Sequence, residues 1–232
     1  MNDYFIWKGV KSLDKGVVAS KLPPYTMAEE RLEHIEVSGR AGSLTRKEGA
    51  DIYNSMTVPV ECFIRDDSAI AGLDAWLKGS GRIEFPNWPA GYYEAQIVNQ
   101  IPLERILAGR AHRSFTVNFR LQPFRQSLAA KSRTLTEVAQ YIENAGTIAC
   151  APVITVHGSG DIQLMVGLEI IELTGIGEGI TIDCGMQEAY WGSTGMNNSM
   201  IGNYPLLQPG NTAISWTGSV TAVDITWREQ SR

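Results

Sequence analysis

Phe115-Thr116-Val117-Asn118-Phe119-Arg120-Leu121 is the clearest alternation of apolar and polar residues in this chain of 232 residues. Successive side chains of a β-strand point to opposite faces of the sheet, so the apolar side chains share one face and the polar ones the other. Pro123 follows closely and ends the run, because proline cannot donate a ladder hydrogen bond. The stretch therefore predicts a strand with one buried face.

Shorter runs of the same kind lie on its N-terminal side. Ile35-Glu36-Val37-Ser38 alternates before the turn residues Gly39-Arg40-Ala41-Gly42. Residues 82–85 and 92–99 alternate on either side of a turn-rich segment that contains Trp88, which predicts a hairpin with a long aromatic loop. This part of the chain is expected to be rich in β-structure.

Residues 58–64 predict a further strand that contains Pro59. Proline lacks the backbone N–H through which a strand bonds to its neighbours, so it is found at sheet edges or at the start of strands. We expect residues 58–64 to lie at an edge.

One segment predicts a helix. Ile70, Leu73 and Leu77 recur on a single helical face, Ser68 is placed to accept hydrogen bonds as the N-cap, and Gly79 supplies the stop.

The second half of the chain has a different organisation. Residues 125–136 are small and polar and predict a linker. Leu135, Val138 and Ile142 would suit either a helix or a strand, and their periodicity leaves both open. Short apolar runs separated by glycine-rich turns follow at residues 152–156, 162–166, 168–173, 180–183, 213–216 and 219–227. This spacing predicts an antiparallel β-sandwich or jelly roll.

Composition and charge narrow the classes of function. With 44% hydrophobic residues and a pI near 5.3, the chain fits neither a disordered polymer nor a protein that coats nucleic acid. Its formal charge of −5 is uneven, since residues 1–132 carry a net +2 and residues 133–232 a net −7. The two parts therefore present different surfaces, although charge asymmetry alone identifies no partner.

Cysteine usage and the N-terminal sequence indicate the compartment. Cys62, Cys150 and Cys184 are far apart, which predicts reduced and buried thiols. The first residues show neither the basic nor the apolar region of a signal peptide, and no run has the apolar length of a membrane helix. A soluble protein that is not secreted is expected.

The search for catalytic chemistry is negative. His34, His112 and His157 lack the spacing of metal ligands. Gly158-Ser159-Gly160 does not fit a nucleophile elbow and is interpreted as a hairpin turn. The glycines at 175–179 precede a strand instead of the helix that a dinucleotide loop requires. The sequence predicts no enzyme, no cofactor and no metal.

Two groups of residues indicate binding without catalysis. Tyr190, Trp191, Trp216 and Trp227 form either a stacking platform for a sugar ring or part of the core, and we favour the core. The second group is basic and surrounds the 115–121 strand. It either lines a nucleic-acid passage or pairs with acidic groups of a neighbouring subunit, which we prefer. Its members are Arg105, Arg110, His112, Arg113, Arg120 and Arg125.

Several motifs, taken in order along the chain, resemble siphophage distal tail (Dit) proteins. In the first part these are Tyr4-Phe5 with Gly9, Gly39-Arg40-Ala41-Gly42, Trp76-Leu77-Lys78-Gly79-Ser80-Gly81, Ile83-Glu84-Phe85-Pro86, the 115–119 run and Gln122-Pro123-Phe124. The second part adds Asn144-Ala145-Gly146-Thr147, residues 152–156, Gly158-Ser159-Gly160-Asp161, residues 180–183, Leu207-Gln208-Pro209-Gly210-Asn211, residues 214–216 and Trp227-Arg228. Their joint order carries the resemblance, which covers nearly the whole chain.

The resemblance implies a mainly β protein with two domains. Residues 1–130 would be a β-rich, ring-forming domain with one helix, and residues 131–232 an antiparallel β-sandwich like those of galectins or carbohydrate-binding modules. It also favours a strand over a helix for the ambiguous segment near residues 135–142. A long insertion that would add a receptor-binding arm is missing from this sandwich.

The functional expectations follow from the same resemblance. The chain would form a hexameric ring that joins the tail tube protein to the tail-tip protein, a tail-associated lysin or receptor-binding proteins, and DNA would pass through its lumen without specific contacts. It would be assembled in the host cytoplasm and reside in the virion.

We expect Phe63 and Trp88 at the subunit contact and Arg105, Arg110, Arg113 and Arg120 at the lumen or between subunits. The alternative function is a carbohydrate-binding adaptor that acts on cell-wall polysaccharide through Trp191 and Trp216.

Overall fold

A computed structural model describes residues 3–49, 51–106 and 112–232. The chain divides into two units: the first, Met1–Arg125, includes Arg232, and the second is Gln126–Ser231. Both are built from antiparallel sheets, so the predicted mainly β class is confirmed. Among the described residues, no helix combines the length and the apolar character needed to cross a bilayer.

The first unit contains ten strands and one α-helix among its described residues. They are β1 (Ile6–Trp7), β2 (Val10–Lys11), β3 (Val17–Lys21), β4 (Leu32–Glu36), β5 (Ser43–Lys47), β6 (Met56–Ile64), α1 (Ile70–Trp76), β7 (Ser80–Glu84), β8 (Tyr93–Ile97), β9 (Glu104–Arg105) and β10 (Arg113–Leu121). The main sheet has the order β2-β1-β7-β8-β10-β6-β3, and β9 pairs with β10.

The alternating stretch at residues 115–121 forms most of β10, as predicted. Phe115, Val117, Phe119 and Leu121 are all buried. The Phe119 ring lies 5.6 Å from that of Phe5, measured between centroids, in an edge-on arrangement. Strand β10 therefore supplies the centre of the core of this unit.

Strand β6 is not the edge strand that Pro59 predicted. Its residues pair with β10 along its whole length, and Glu61–Ile64 also pair with β3 on the other side. Pro59 itself lies beyond the end of β3. Among the described residues, no second strand pairs with β6 there, so the missing N–H of Pro59 leaves no hydrogen bond unmade. The proline marks where the neighbouring strand stops.

Helix α1 is confirmed, but its cap is not Ser68. A 3₁₀ turn, Asp67–Ala69, precedes the helix, and the Asp66 carboxylate accepts a hydrogen bond of 2.9 Å from the backbone N–H of Ser68. An aspartate at this position satisfies a free N–H and interacts well with the positive end of the helix.

Strands β4 and β5 form a separate two-stranded ribbon. All their residues are exposed. Backbone hydrogen bonds continue the pairing of the two chain segments at the base of the ribbon, where the N–H of Arg31 donates to the carbonyl of Ile52 and that of Asn54 to the carbonyl of Glu29.

The second unit consists of strands, short turns and one 3₁₀ turn. Its main strands are β12 (Lys131–Leu135), β13 (Gln140–Asn144), β14 (Val153–Val166), β15 (Glu169–Ile176), β16 (Gly179–Asp183), β17 (Glu188–Trp191), β18 (Thr194–Gly195), β19 (Met200–Ile201) and β20 (Gly210–Trp227). Two short strands, β11 (Arg125–Gln126) and β21 (Gln230–Ser231), complete the chain. The order β12-β20-β14-β16-β17-β18 forms the main path of the sheet.

Two predicted turns are wrong, because β14 and β20 are long strands that bend. The Gly158-Ser159-Gly160 stretch lies within β14, where its register with β20 shifts. A Cβ atom at Gly158 would lie 2.3 Å from the carbonyl oxygen of Ser219, and one at Gly218 would lie 2.5 Å from that of Asp161. The glycines let the two backbones come close at the bend.

The predicted linker and the ambiguous segment are both strands in part. Residues 125–136 contain strand β12, which pairs with β20 and has Leu135 fully buried at its end. Strand β13 contains Ile142, also fully buried, so the extended alternative is correct.

Asn144 fixes the loop that follows β13. Its side-chain amide is buried, donates to the carbonyls of Ile148 and Leu207, and accepts from the N–H of Gly146. These bonds satisfy a polar group that would otherwise be costly to bury. They account for the asparagine of the Asn144-Ala145-Gly146 motif.

All three cysteines are free and buried, as predicted. Burial raises the pKa of the Cys62 and Cys184 thiols to about 12, and that of Cys150 to about 11. The thiols are therefore protonated at neutral pH and unreactive.

Candidate functional sites

The predicted basic cluster separates into two places on β10. Arg113 starts the strand and lies directly opposite Arg105 of β9. Arg120 is seven positions away, which is about 23 Å along a strand. Arg110 lies outside the described residues. A single basic surface therefore does not form from Arg113 and Arg120.

Arg113 is committed to an ion pair. Its Nε donates to Asp67 Oδ1 over 2.6 Å and its Nη2 to Oδ2 over 2.9 Å. The hydrogen bond and charge of Arg113, together with the charge of Arg105, hold the pKa of Asp67 below its ordinary value. This paired guanidinium is less available to a further partner than that of the exposed Arg105.

Arg120 is exposed on the opposite face of β10. Its Nε donates to Ser55 Oγ over 2.8 Å. Together with Arg31 and Tyr53 it lines a surface pocket of the first unit. Arg31 and Arg120 thus border the same pocket, together with the carboxylate of Glu94.

The two predicted contact residues occupy different environments. Phe63 is half-buried on the outer side of β6, with the Arg65 guanidinium 5.8 Å from its ring centroid. Trp88 is only 7% exposed and belongs to the core. Its Nε1 donates to the carbonyl of Pro23 over 3.0 Å. Trp88 therefore offers little surface to a partner.

The β4–β5 ribbon is amphipathic near its tip. Residues directly opposite in an antiparallel pair share a face, so Ile35 and Leu44 lie together on one side, and His34 and Thr45 on the other. Ile35 is 38% exposed and Leu44 is 42% exposed. Sequence reasoning found the strand and turn here but missed this apolar pair.

The two tryptophans predicted for sugar stacking differ as well. Trp216 is 6% exposed and belongs to the core of the second unit, which leaves no ring face for a sugar. Trp191 is half-buried. Its ring carbons Cη2 and Cζ3 cover Gly179, where a Cβ atom would lie 2.6 Å from them. Only Trp191 remains a candidate for stacking.

Trp191 borders a polar region that the sequence did not reveal. The His157 ring meets its indole edge-on, with centroids 5.9 Å apart. His157 Nε2 is 2.8 Å from Asp224 Oδ2, and the Thr134 hydroxyl donates to Asp224 Oδ1 over 2.5 Å. Hydrogen bonds from Thr134 and then from His157 lower the pKa of Asp224. The carboxylate is therefore ionised and held in position.

In the part of the chain that the structure describes, no three His, Cys, Asp or Glu side chains are grouped as metal ligands would be.

Comparison with known proteins identifies the fold. No protein-family model matches the chain, and no curated protein matches it by sequence. The crystal structure of the SPP1 Dit protein matches with a TM-score of 0.78, over 98% of this chain and 98% of that one, at 13% sequence identity. The chain has the Dit fold. SPP1 Dit is described as a paradigm of the hub adsorption apparatus in phages that infect Gram-positive bacteria.

Two of the motifs that carried the resemblance lie in structural elements of this chain. The 115–121 run is part of strand β10, and Asn144 is the buried last residue of β13. At 13% identity the match fixes the path of the backbone and leaves side-chain roles to this chain's own geometry. The predicted Dit fold is therefore confirmed.

Proposed function

We propose that this chain is a structural hub protein of a phage tail. The observation that carries the proposal is the Dit fold, which extends over 98% of the chain. The role is assembly, not catalysis. The protein would join the tail tube protein to the tail-tip protein, a tail-associated lysin or receptor-binding proteins, and would reside at the distal end of the virion tail.

The β4–β5 ribbon supports self-association. A two-stranded hairpin is marginally stable alone in water, and its outer edges leave backbone groups free to pair. Here the ribbon is exposed on both faces and carries Ile35 and Leu44 near its tip. A neighbouring copy that covered this pair would bury apolar surface and hold the ribbon in place.

In a closed ring, the ribbon of every subunit would contact the same surface of its neighbour. Head-to-tail contacts use two different faces of one subunit and form a ring when the rotation closes. We infer a hexamer, with Phe63 as a further contact residue. Arg105 and Arg120 would lie at the lumen or between subunits. The net charge of +2 in residues 1–132 would let DNA slide through without tight binding.

The assembly state tests the proposal. We expect negative-stain electron microscopy of the purified protein to show closed six-fold rings with a central hole. Light scattering should give the mass of a hexamer at high protein concentration. A protein that stays monomeric under these conditions would contradict the proposal.

The ribbon provides a matched pair of variants. Leu44→Asp places a charge on the apolar face and should shift the protein toward monomers. Thr45→Asp makes the same change on the opposite face, one residue away, and should leave assembly intact. Circular dichroism should show both variants folded, because the ribbon lies outside the core.

A further inference from the structure

The exposed face of the second unit carries a straight row of hydrogen-bonding side chains. Strand register places Thr134 opposite Asp224, Asp224 opposite Thr155, Thr155 opposite Thr181, and Thr181 opposite Tyr190. The row crosses β12, β20, β14, β16 and β17 and spans about 19 Å at the usual distance between strands.

These side chains point away from the core. Ile154, Val156, Ile182, Val223 and Ile225 alternate with them along the strands and are all buried. Side chains of a strand alternate between faces, so the row occupies the other side of the sheet.

The row is ordered before any ligand arrives. Thr155 Oγ1 and Thr181 Oγ1 are 3.0 Å apart, and the Asp224 carboxylate is held between Thr134 and His157. Hydroxyl groups both donate and accept, whereas the ionised carboxylate only accepts. Such a row suits a ligand that offers several hydroxyl groups at once.

An aromatic ring borders the row. Trp191 follows Tyr190 on β17, and its indole lies across Gly179, the residue paired with His157. A flat apolar ring beside polar groups suits a ligand with one apolar face and a polar edge. A sugar ring has this character, with its C–H groups on one face and hydroxyls around its rim.

Charge selects among such ligands. Asp224 is the ionisable group of the row that is charged at neutral pH, and residues 133–232 carry a net −7. This field repels phosphate, sulfate and carboxylate groups, including nucleic acids and anionic glycans. Among oligosaccharides, this charge favours the neutral ones.

We propose that the face formed by Thr134, Asp224, Thr155, Thr181 and Tyr190, with Trp191 and His157 at its border, binds a neutral oligosaccharide. The Trp191 indole stacks on one sugar ring, and the row of polar groups accepts and donates hydrogen bonds to the next rings. The site lies in the second unit and does not depend on the proposed ring.

The experiment is titration calorimetry of the full-length protein with three neutral hexasaccharides: cellohexaose, chitohexaose and maltohexaose. We expect saturable binding of at least one of them and a change in tryptophan fluorescence with the same midpoint. Trp191→Ala should weaken the affinity about tenfold or more. Tyr141→Ala is the matched control, because Tyr141 is an aromatic residue of the same unit, 60% exposed and outside the row.

If Trp191→Ala is misfolded, Thr181→Val tests whether the row binds the oligosaccharide. Valine has nearly the same shape as threonine and favours a strand, so the variant removes one hydroxyl from the row and leaves the backbone unchanged. We expect it to weaken binding several-fold.

Lack of binding by all three sugars at millimolar concentration would overturn the proposal. So would binding that both Trp191→Ala and Thr181→Val leave unchanged. Light scattering of the same samples keeps the two proposals separate, since rings that bind no sugar would contradict this site alone.

Discussion

Arg113 and Asp67 form a two-point ion pair that ties the first residue of β10 to the turn before helix α1. Both hydrogen bonds run in parallel, from Nε to Oδ1 and from Nη2 to Oδ2. This geometry matches the planar guanidinium to the carboxylate and fixes their relative orientation. The pair therefore positions α1 against the main sheet.

The ion pair predicts a pH dependence of stability. The pKa of Asp67 is lower in the folded protein than its ordinary value of 3.8, chiefly through the hydrogen bond from Arg113. The stabilisation is therefore present above this ordinary value and is lost as the pH falls through the lower, folded pKa. Asp67→Asn should lower the melting temperature at pH 7, and the difference from the parent should shrink in acid.

Thermal denaturation between pH 7 and pH 2 measures this effect. Asp74→Asn is the control, since Asp74 is an exposed carboxylate on α1 itself. Its melting curve should follow that of the parent protein. An Asp67→Asn variant with an unchanged melting temperature at pH 7 would show that the pair contributes nothing.

The helix cap gives a second test. Asp66→Ala removes the side chain that accepts from the Ser68 N–H and should cost about 1 kcal/mol in the free energy of unfolding. Ser68→Ala keeps that N–H and should have a much smaller effect. Urea denaturation of both variants checks the order. The reverse order would mean that Ser68 is the cap, as its position in the sequence predicts.

Trp88 provides a third test, in which folding and assembly are measured together. Trp88→Ala should lower the free energy of unfolding by about 3–5 kcal/mol, because the ring is buried among Phe85 and Tyr93. Trp88→Phe retains a ring and loses the hydrogen bond to Pro23, so it should cost less. If Trp88→Ala were as stable as the parent but failed to assemble, Trp88 would lie at the subunit contact.

Gly179 supports Trp191 and provides a fourth test. A Cβ atom at this position would lie 2.6 Å from the indole and 2.7 Å from the carbonyl oxygen of Val156. Gly179→Ala should therefore cost about 1–3 kcal/mol and alter the near-ultraviolet circular dichroism of Trp191.

Gly177→Ala is the matched control for Gly179→Ala. A Cβ atom at Gly177 meets nothing within 4 Å, so its effect should be neutral or slightly stabilising. Equal stability of the two variants in urea would mean that the Trp191 ring moves aside without cost.

Local patterns predicted the elements whose signals are themselves local. Alternation at residues 115–121 places Phe119 on the buried face of β10, and the spacing of Ile70 and Leu73 predicts α1. Glycine was less informative. Gly158 and Gly160 predicted a turn, yet they lie in a bent strand. Glycine permits both a turn and a close approach of two backbones, so its presence does not distinguish them.

The position of a strand within its sheet could not be predicted from local patterns. Pro59 indicates a missing ladder bond, which fits an edge strand as well as a strand whose neighbour ends early. The burial of Trp88 and Trp216 depends on segments far away in sequence, such as Pro23 for Trp88 and Leu164, the strand partner of Trp216. Composition shows that these rings are apolar but not which of them are covered.

A mainly β chain with one helix, free cysteines and an acidic second half could be predicted without the structure, because alternation, spacing and charge are properties of neighbouring residues. Which residues contact one another depends on how distant segments pack. Strand register brings Thr134, Thr181 and Asp224 into one row, and it leaves Ile35 and Leu44 together on an uncovered ribbon. Register is fixed by the burial of a whole sheet face, which no single segment specifies.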